Sequence, residues 1–287
     1  MKKNKQNGAE RFNNYYESIY GARWEELKKS FVQKPDYFEI KGKQSCTPRL
    51  SLHSEINNGL LAPYYIDRAS LFPVKALDII PGHNVLDMCA APGGKTLLIT
   101  LAAGESGAVT ANDRSAARRA RLVSVLDVSL PAELRKVVKL TGHDASLWGV
   151  YEKNVYDRIL LDAPCSSERH VYMSEFHLKQ WTPSRIKQLA SRQFAMLAAA
   201  LDAVKPLGKI VYSTCSISRE ENDGIIEKLF KKRKGLFEVE SIESRDEIFG
   251  SEIEAEKTEF GYYIMPDRNN GAGPIFFAVI VKLSAGG

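Results

Sequence analysis

Apolar positions change their period along this chain. Phe12, Tyr15, Tyr16, Ile19 and Tyr20 recur at i, i+3, i+4, i+7, and Trp24, Leu27 and Phe31 carry the pattern past Gly21. That spacing gathers them on one side of a helix and predicts an amphipathic helix pair docked on a larger body, its aromatics packing rather than stacking on bases. Pro35 ends the helical pattern, and residues 42–58 read as an ordered loop. From residue 62 onward short apolar runs alternate with helical patterns. Strands are expected at 84–88, 108–111, 137–140, 158–161, 209–212, 236–239 and 275–281. Helices are expected at 96–103, 116–126, 184–204 and 220–232, and a further one capped by Asp67 or Ser70 and running to Leu77 before Pro81-Gly82. Such alternation predicts an α/β fold: a doubly wound, mostly parallel seven-stranded sheet. A small helical extension over 1–60 precedes this domain, which occupies 61–287.

Composition narrows the class. At 287 residues and 44% apolar, the chain can bury a sizeable core. Its four cysteines, Cys46, Cys89, Cys165 and Cys215, show no CxxC and no regular spacing, against a disulfide framework or a structural zinc site. His170 and His177 with Cys165 match no standard metal spacing, so no metal is expected. The first residues are basic but lack the apolar stretch of a signal peptide, and no run approaches the ~18 apolar residues of a membrane span. A reduced, cytoplasmic protein with no membrane partner is expected. Forty basic against 35 acidic residues leave a net charge of +5, distributed in patches. Residues 2–49 are basic and aromatic, Arg118, Arg119 and Arg121 cluster, and Lys231 to Lys234 form a run, whereas 238–259 are acidic. Patchy positive charge suits a phosphate backbone, although the Lys231 run alone reads as a solvated helix face.

The chemistry concentrates where strands end. After Val85-Leu86-Asp87-Met88 comes Cys89-Ala90-Ala91-Pro92-Gly93-Gly94-Lys95-Thr96, whose small residues let backbone approach a ligand at a helix N-terminus. Gly94-Lys95-Thr96 imitates the end of a P-loop, but Cys89 stands where that motif needs its first glycine. Four acidic residues close successive strands: Asp87, Asp113, Asp144 and Asp162. Asp113 occupies the position from which a doubly wound fold holds ribose hydroxyls, and Asp144 is placed for the base. Singly each is better explained as a cap or turn residue; together they point to S-adenosyl-L-methionine rather than ATP or NAD. Two thiols follow two apolar strands, Cys165 in Asp162-Ala163-Pro164-Cys165 and Cys215 in Ser213-Thr214-Cys215. They suggest one sulfur as nucleophile and the other in support. Cys46 and Cys89 read as structural.

With these residues in view, the chain resembles the RNA cytosine-5 methyltransferases of the Sun/Nop family over nearly its whole length. The segments 87–96, 162–166 and 212–216 carry the likeness, and Tyr15-Tyr16, Tyr20 to Trp24 and Pro63 to Asp67 look closest to the compact branch that includes the mitochondrial enzymes. The resemblance implies that Cys89, Ala90, Ala91, Pro92, Gly93, Gly94 and Lys95 line the methionine end of the cofactor. It implies Asp113 at the ribose with Arg118 nearby, Asp144 at the adenine, and Asp162 between cofactor and target base. Cys215 would be the nucleophile, and Cys165 would assist product release. Glu168-Arg169-His170 replaces a glycine-containing stretch common in relatives, and there is no room for an appended RNA-binding domain.

A thiolate adding to cytosine C6 makes C5 enamine-like, so one hard step becomes two easier ones. Cys215 must therefore be activated by its surroundings, with a helix terminus or the cationic cofactor as candidates. Asp162 is expected at the cytosine edge, most useful as the protonated acid; Cys165 or a water would take the C5 proton. A base that leaves its stack implies single-stranded or locally opened RNA, with rRNA first and tRNA second. The N-terminal basic residues, Arg118 to Arg121 and Arg169 are candidate phosphate contacts, and RNA shape or a protein partner must supply specificity. A catalytically silent RNA-binding protein would have no use for two strand-end thiols. A DNA cytosine methyltransferase would keep its nucleophile in the Pro-Cys segment.

Overall fold

A computed structural model describes residues 7–42, 57–242 and 253–284. Cys46 and most of the expected loop at 42–58 lie outside the described residues. The strands are β1 (Tyr37–Gly42), β2 (Asn57–Leu60), β3 (Tyr64–Asp67), β4 (Asn84–Asp87), β5 (Ala108–Asn112), β6 (Val138–Thr141), β7 (Tyr156–Asp162), β8 (Val204–Thr214), β9 (Phe237–Glu240), β10 (Ala255–Lys257), β11 (Tyr262–Ile264) and β12 (Ile275–Lys282). The helices are α1 (Gly8–Tyr20), α2 (Arg23–Phe31), α3 (Leu71–Lys75), α4 (Gly94–Ala103), α5 (Ala116–Ser129), α6 (Ala132–Lys136), α7 (Trp148–Tyr151), α8 (Glu168–Met173), α9 (Glu175–Gln180), α10 (Pro183–Ala203) and α11 (Asp223–Lys232).

The main sheet runs β10-β11-β12-β8-β7-β4-β5-β6, with β9 also paired to β12. From β6 across to β8 every pairing is parallel, while β12 is antiparallel to both β8 and β9. Side-chain alternation divides the central strands between two cores. Val85, Leu160 and Val211 face one layer with Leu97 of α4 and Leu122 of α5. Leu86, Ile159, Leu161, Ile210 and Tyr212 face the other, with Leu197 of α10 and Ile226 of α11. The chain leaves β4 toward β5 and β6, then returns to place β7 on the other side of β4. That reversal opens a crevice at the carboxyl ends of β4 and β7, where open α/β sheets bind ligands.

All seven expected strands are present. The sheet nevertheless has nine, because the hairpin β10–β11 adds two three-residue strands, too short to show a period in the sequence. A separate three-stranded sheet, β2-β1-β3, is built from strands on either side of the region read as loop. Asp67 caps a 3₁₀ turn by accepting from Ala69 N at 2.9 Å, and α3 follows with only five residues. The helix expected from 220 starts at Asp223, after a 3₁₀ turn over Arg219–Glu221.

Helices α1 and α2 bury Phe12, Tyr16, Trp24, Leu27 and Phe31 in a third cluster, against Val171, Trp181, Ile186, Ile217 and Met265. Phe12 packs edge-on to Trp181 with ring centroids 5.3 Å apart, and each such side chain contributes roughly 1.5–3 kcal/mol by burial. These aromatics are packing groups. Among the described residues no helix is long and apolar enough to cross a membrane.

Candidate active site

The loop between β4 and α4 owes its shape to small residues. Gly93 has φ +125°, and a Cβ there would stand 3.0 Å from Val125; one on Gly94 would stand 2.7 Å from the Tyr64 ring. Helix α4 is thus seated against β3 and α5 with its first turn toward the crevice. Thr96 Oγ1 donates to Asp87 Oδ2 at 2.7 Å, anchoring the helix to the strand it follows. Asp87 Oδ1, fully buried, has no hydrogen-bond partner. Burial pushes this carboxyl up to about 7.

Three cavities run along the crevice. The first, about 430 Å³, lies between the ends of β4 and β5 and is lined by Met88, Cys89, Asp113, Arg118, Asp144 and Met196 among others. The second, about 210 Å³, is lined by the loop from Cys89 to Lys95 with Tyr64, Asp87 and Asp162. The third, about 390 Å³, holds Cys215 and Ser167, with Ser70, His170, Met173 and Ile275 around them. Cys89 borders the first two, and Asp67 and Ser70 border the second and third, so the three are neighbours along the crevice.

Asp113 is buried; Ser115 N donates to its Oδ1 at 2.9 Å, while Oδ2 has no hydrogen-bond donor, with the Arg118 guanidinium 3.4 Å away. Arg118 also donates to the Ala91 carbonyl at 2.5 Å, tying this wall to the glycine loop. Asp144 is more fully engaged. Ser146 donates to it through its hydroxyl at 2.7 Å and its amide at 3.0 Å, and Arg114 pairs with it at 2.8 Å. Those Ser146 bonds, then Arg114, hold its carboxyl below the usual range. Burial pushes the Cys89 thiol far up, which keeps it an un-ionised wall group.

Asp162, at the end of β7, accepts from Lys95 Nζ at 2.7 Å and from Ser213 Oγ at 2.8 Å. Burial alone would lower the Lys95 ammonium, but Asp162 outweighs it and raises its pKa. Each oxygen of Asp162 thus has a donor, one an ammonium and the other a hydroxyl. Around the corner the two sulfurs meet: Cys165 Sγ lies 3.1 Å from Cys215 Sγ. Ser167 Oγ lies 3.2 Å from Cys215 and 3.5 Å from Cys165. The hydrogen bond between the thiols raises Cys165 and lowers Cys215, and Ser167 lowers Cys215 further. The groups that lower the Cys215 thiol here are a second thiol and a hydroxyl.

Ser167 was not singled out by sequence reading. Its φ of +54° is unusual for a residue with a side chain, and the strain places the hydroxyl between two sulfurs. Its place two residues after Cys165 was the available signal. Asp67, shared by two cavities, was read only as a cap. Of the candidate phosphate contacts, Arg169 is committed elsewhere: its guanidinium donates to the carbonyls of Phe31, Gln33, Gly271 and Gly273. Arg119 donates to the carbonyls of Asp113 and Arg114, whereas Arg121 is exposed. Among the described residues there is no cluster of side chains able to hold a metal ion.

This sheet order, with a glycine-loop crevice at its switch point, defines the class I methyltransferase fold. A methyltransferase homologue from Pyrococcus horikoshii shares it, with a TM-score of 0.67 at 23% identity over 94% of both chains. Family membership follows from sequence: a family model described as 16S rRNA methyltransferase RsmB/F matches residues 74–281, and the chain belongs to that family. The 5-cytosine rRNA methyltransferase NSUN4 of Xenopus laevis is 36% identical over 236 residues, 78% of this chain and 57% of the relative. A mitochondrial tRNA (cytosine(34)-C(5))-methyltransferase of Danio rerio is 34% identical over 79% of this chain and 63% of its own. NSun6 from Pyrococcus horikoshii, solved with SFG, superposes with a TM-score of 0.61 at 27% identity, over 77% of this chain and 54% of that one. The chain spans about three-fifths of the curated relatives cited here.

Proposed function

We propose that this protein transfers a methyl group from S-adenosyl-L-methionine to C5 of a cytosine in RNA, through a covalent bond between Cys215 and C6. The observation that carries this reading is the 3.1 Å contact of Cys165 with Cys215, which lines a cavity that shares Asp67 and Ser70 with the glycine-loop crevice. The residues fit the cofactor. Asp113, whose Oδ2 has no hydrogen-bond donor, and Asp144 both line the cavity of about 430 Å³ as ribose and adenine acceptors would, and the second cavity follows the loop from Cys89 to Lys95. When bound, S-adenosyl-L-methionine supplies an electrophilic sulfonium methyl.

The side chains do the rest. Cys215 Sγ, held as thiolate by Cys165 and Ser167, adds to C6 and leaves C5 enamine-like. Asp162, fixed by Lys95 and Ser213, accepts from the exocyclic amino group of cytosine, a donor that uracil lacks. Once Cys215 is spent in a C–S bond, Cys165 no longer donates to a neighbouring thiolate, and its own proton becomes easier to lose. Cys165 releases that proton to solvent and then takes the C5 proton after methylation; the C–S bond breaks, C5=C6 re-forms and Cys215 returns as thiolate.

Ribosomal RNA is the first substrate to try and tRNA the second, as both occur among the relatives' activities. The test is labelled methyl transfer to unmodified rRNA and tRNA transcripts, with the product nucleoside identified after digestion. The expected product is 5-methylcytosine, and Cys215→Ala should lose turnover by at least about a thousandfold, as removal of a covalent nucleophile does. Normal turnover by that variant would defeat the role assigned to Cys215.

A further inference from the structure

Behind the sulfurs, in the protein interior, lies a second arrangement that the methyl-transfer chemistry does not use. Cys165 and Cys215 are each followed by a serine, and the hydroxyls of Ser166 and Ser216 meet at 3.0 Å. Two glutamates, both fully buried, close on them. Ser166 Oγ makes short contacts to Glu168 Oε1 and Glu221 Oε1, and Ser216 Oγ lies 3.3 and 3.2 Å from the same two atoms. Tyr16 donates to Glu168 Oε1 at 2.6 Å and Ile217 N to Oε2 at 3.0 Å. Gln193 Nε2 and Ser166 N donate to Glu221 Oε2 at 2.7 and 3.0 Å.

These donors are hydroxyls, amides and backbone N–H groups, all neutral. Two serine protons must serve five close oxygen contacts, one between the serines and four to the carboxylates. One further proton on a carboxyl oxygen narrows that shortage; two bare charges on the same pair of serines would repel in a medium that screens poorly. Burial first, and then the charge of Glu168, push Glu221 up to about 7.

We propose that Glu168 and Glu221 form a proton-sharing carboxylate pair that positions Cys165 and Cys215, tying the ends of β7 and β8 together behind the sulfurs. This rests on the reading of Cys215 as the nucleophile. The pair faces Tyr16 from α1, Tyr212 and Cys215 from β8 and the turn after it, Cys165 from the turn after β7, Tyr263 from β11, and Glu220 and Asp223 beside Glu221. Burial and the nearby carboxylates hold Tyr16, Tyr212 and Tyr263 un-ionised. Tyr15 and Ser218 hold Glu220 below the usual range against its burial, and Asp223 is turned toward Thr258 and Phe260 N. Near neutrality Glu221 is the member of this cluster that changes charge. Loss of the shared proton puts a second negative charge behind Cys215 and loosens the tie between the strands.

The direct test is infrared titration of the full-length protein grown on ¹³C-labelled glutamate, which moves a glutamic-acid carbonyl band away from any band of Asp87. A labelled acid band that disappears as pH rises through about 7 is expected. Its absence overturns the shared proton, whatever the turnover. The positioning role is read from Glu221→Gln: kcat falls about tenfold with both KM values unchanged, and the pH profile of Cys215 alkylation loses its second inflection. Should that variant not fold, Ser216→Ala removes one bridging hydroxyl and should show the same split more weakly. Unchanged kcat and profile overturn the role. Normal turnover by Cys215→Ala would instead defeat the functional reading while leaving the infrared band in place.

Discussion

The two rims of the central crevice face cavities of similar size, about 430 and 390 Å³, yet they are built differently. At the β4–β5 rim, capacity is left open: Asp87 and Asp113 each keep a buried oxygen without a hydrogen-bond donor. At the β7–β8 rim the groups around the sulfurs already hold one another. Cys165, Cys215 and Ser167 form a triangle, Lys95 and Ser213 fix Asp162, and the serine–glutamate cluster lies behind. Unpaired groups create affinity for a ligand that completes them. Paired groups hold reacting atoms in place before the substrate arrives. On the proposed function, one rim recognises the cofactor and the other is preorganised for the chemistry.

That contrast can be broken at its strongest point first. Lys95→Met should lower kcat/KM about a hundredfold, because it strands the partly buried Asp162 carboxylate without its cation. The loss should fall mainly on kcat, as expected on the preorganised side; a pure KM effect would erase the distinction between rims. Asp113→Ala should act the other way, raising the KM for S-adenosyl-L-methionine about tenfold to a hundredfold with kcat little changed. Equilibrium binding by calorimetry checks it, and undiminished affinity would remove Asp113 from the cofactor site.

The smallest effect concerns stability alone. Burial raises the Asp87 carboxyl from its ordinary 3.8 to about 7, so between those values the folded protein keeps a proton that the unfolded chain has released. Its contribution is therefore full at low pH and declines as pH rises, by up to about 1.4 kcal/mol per pH unit, levelling off above the folded value. Asp87→Asn should flatten that slope in denaturant unfolding measured from mildly acidic to neutral pH. An unchanged slope would mean that the open oxygen carries no penalty.

Sequence alone made the central strands legible because β4, β7 and β8 are buried on both faces and read as unbroken apolar runs, with chemistry just beyond their ends. The Gly93–Gly94 pair was legible for a related reason: local backbone shape demanded glycine. Glu168 and Glu221 were not, since a charged residue in one sequence looks solvent-bound until its partners are known. The partners are remote, with Tyr16 lying 152 positions from Glu168. Arg169 misled in the same way, because its guanidinium is taken up by backbone carbonyls more than a hundred residues off, including those of Phe31 and Gly271. Sequence reading found the residues that line the crevice, and missed the long-range network packed behind them.

The most direct test of the two-sulfur account uses Cys165→Ala, incubated with S-adenosyl-L-methionine and unmodified RNA and run on a denaturing gel. With product release impaired, a covalent RNA–protein band should accumulate, and it should vanish in the Cys165→Ala/Cys215→Ala double variant. If no band forms on an RNA that the wild-type protein methylates, Cys215 and Cys165 do not divide the labour as described.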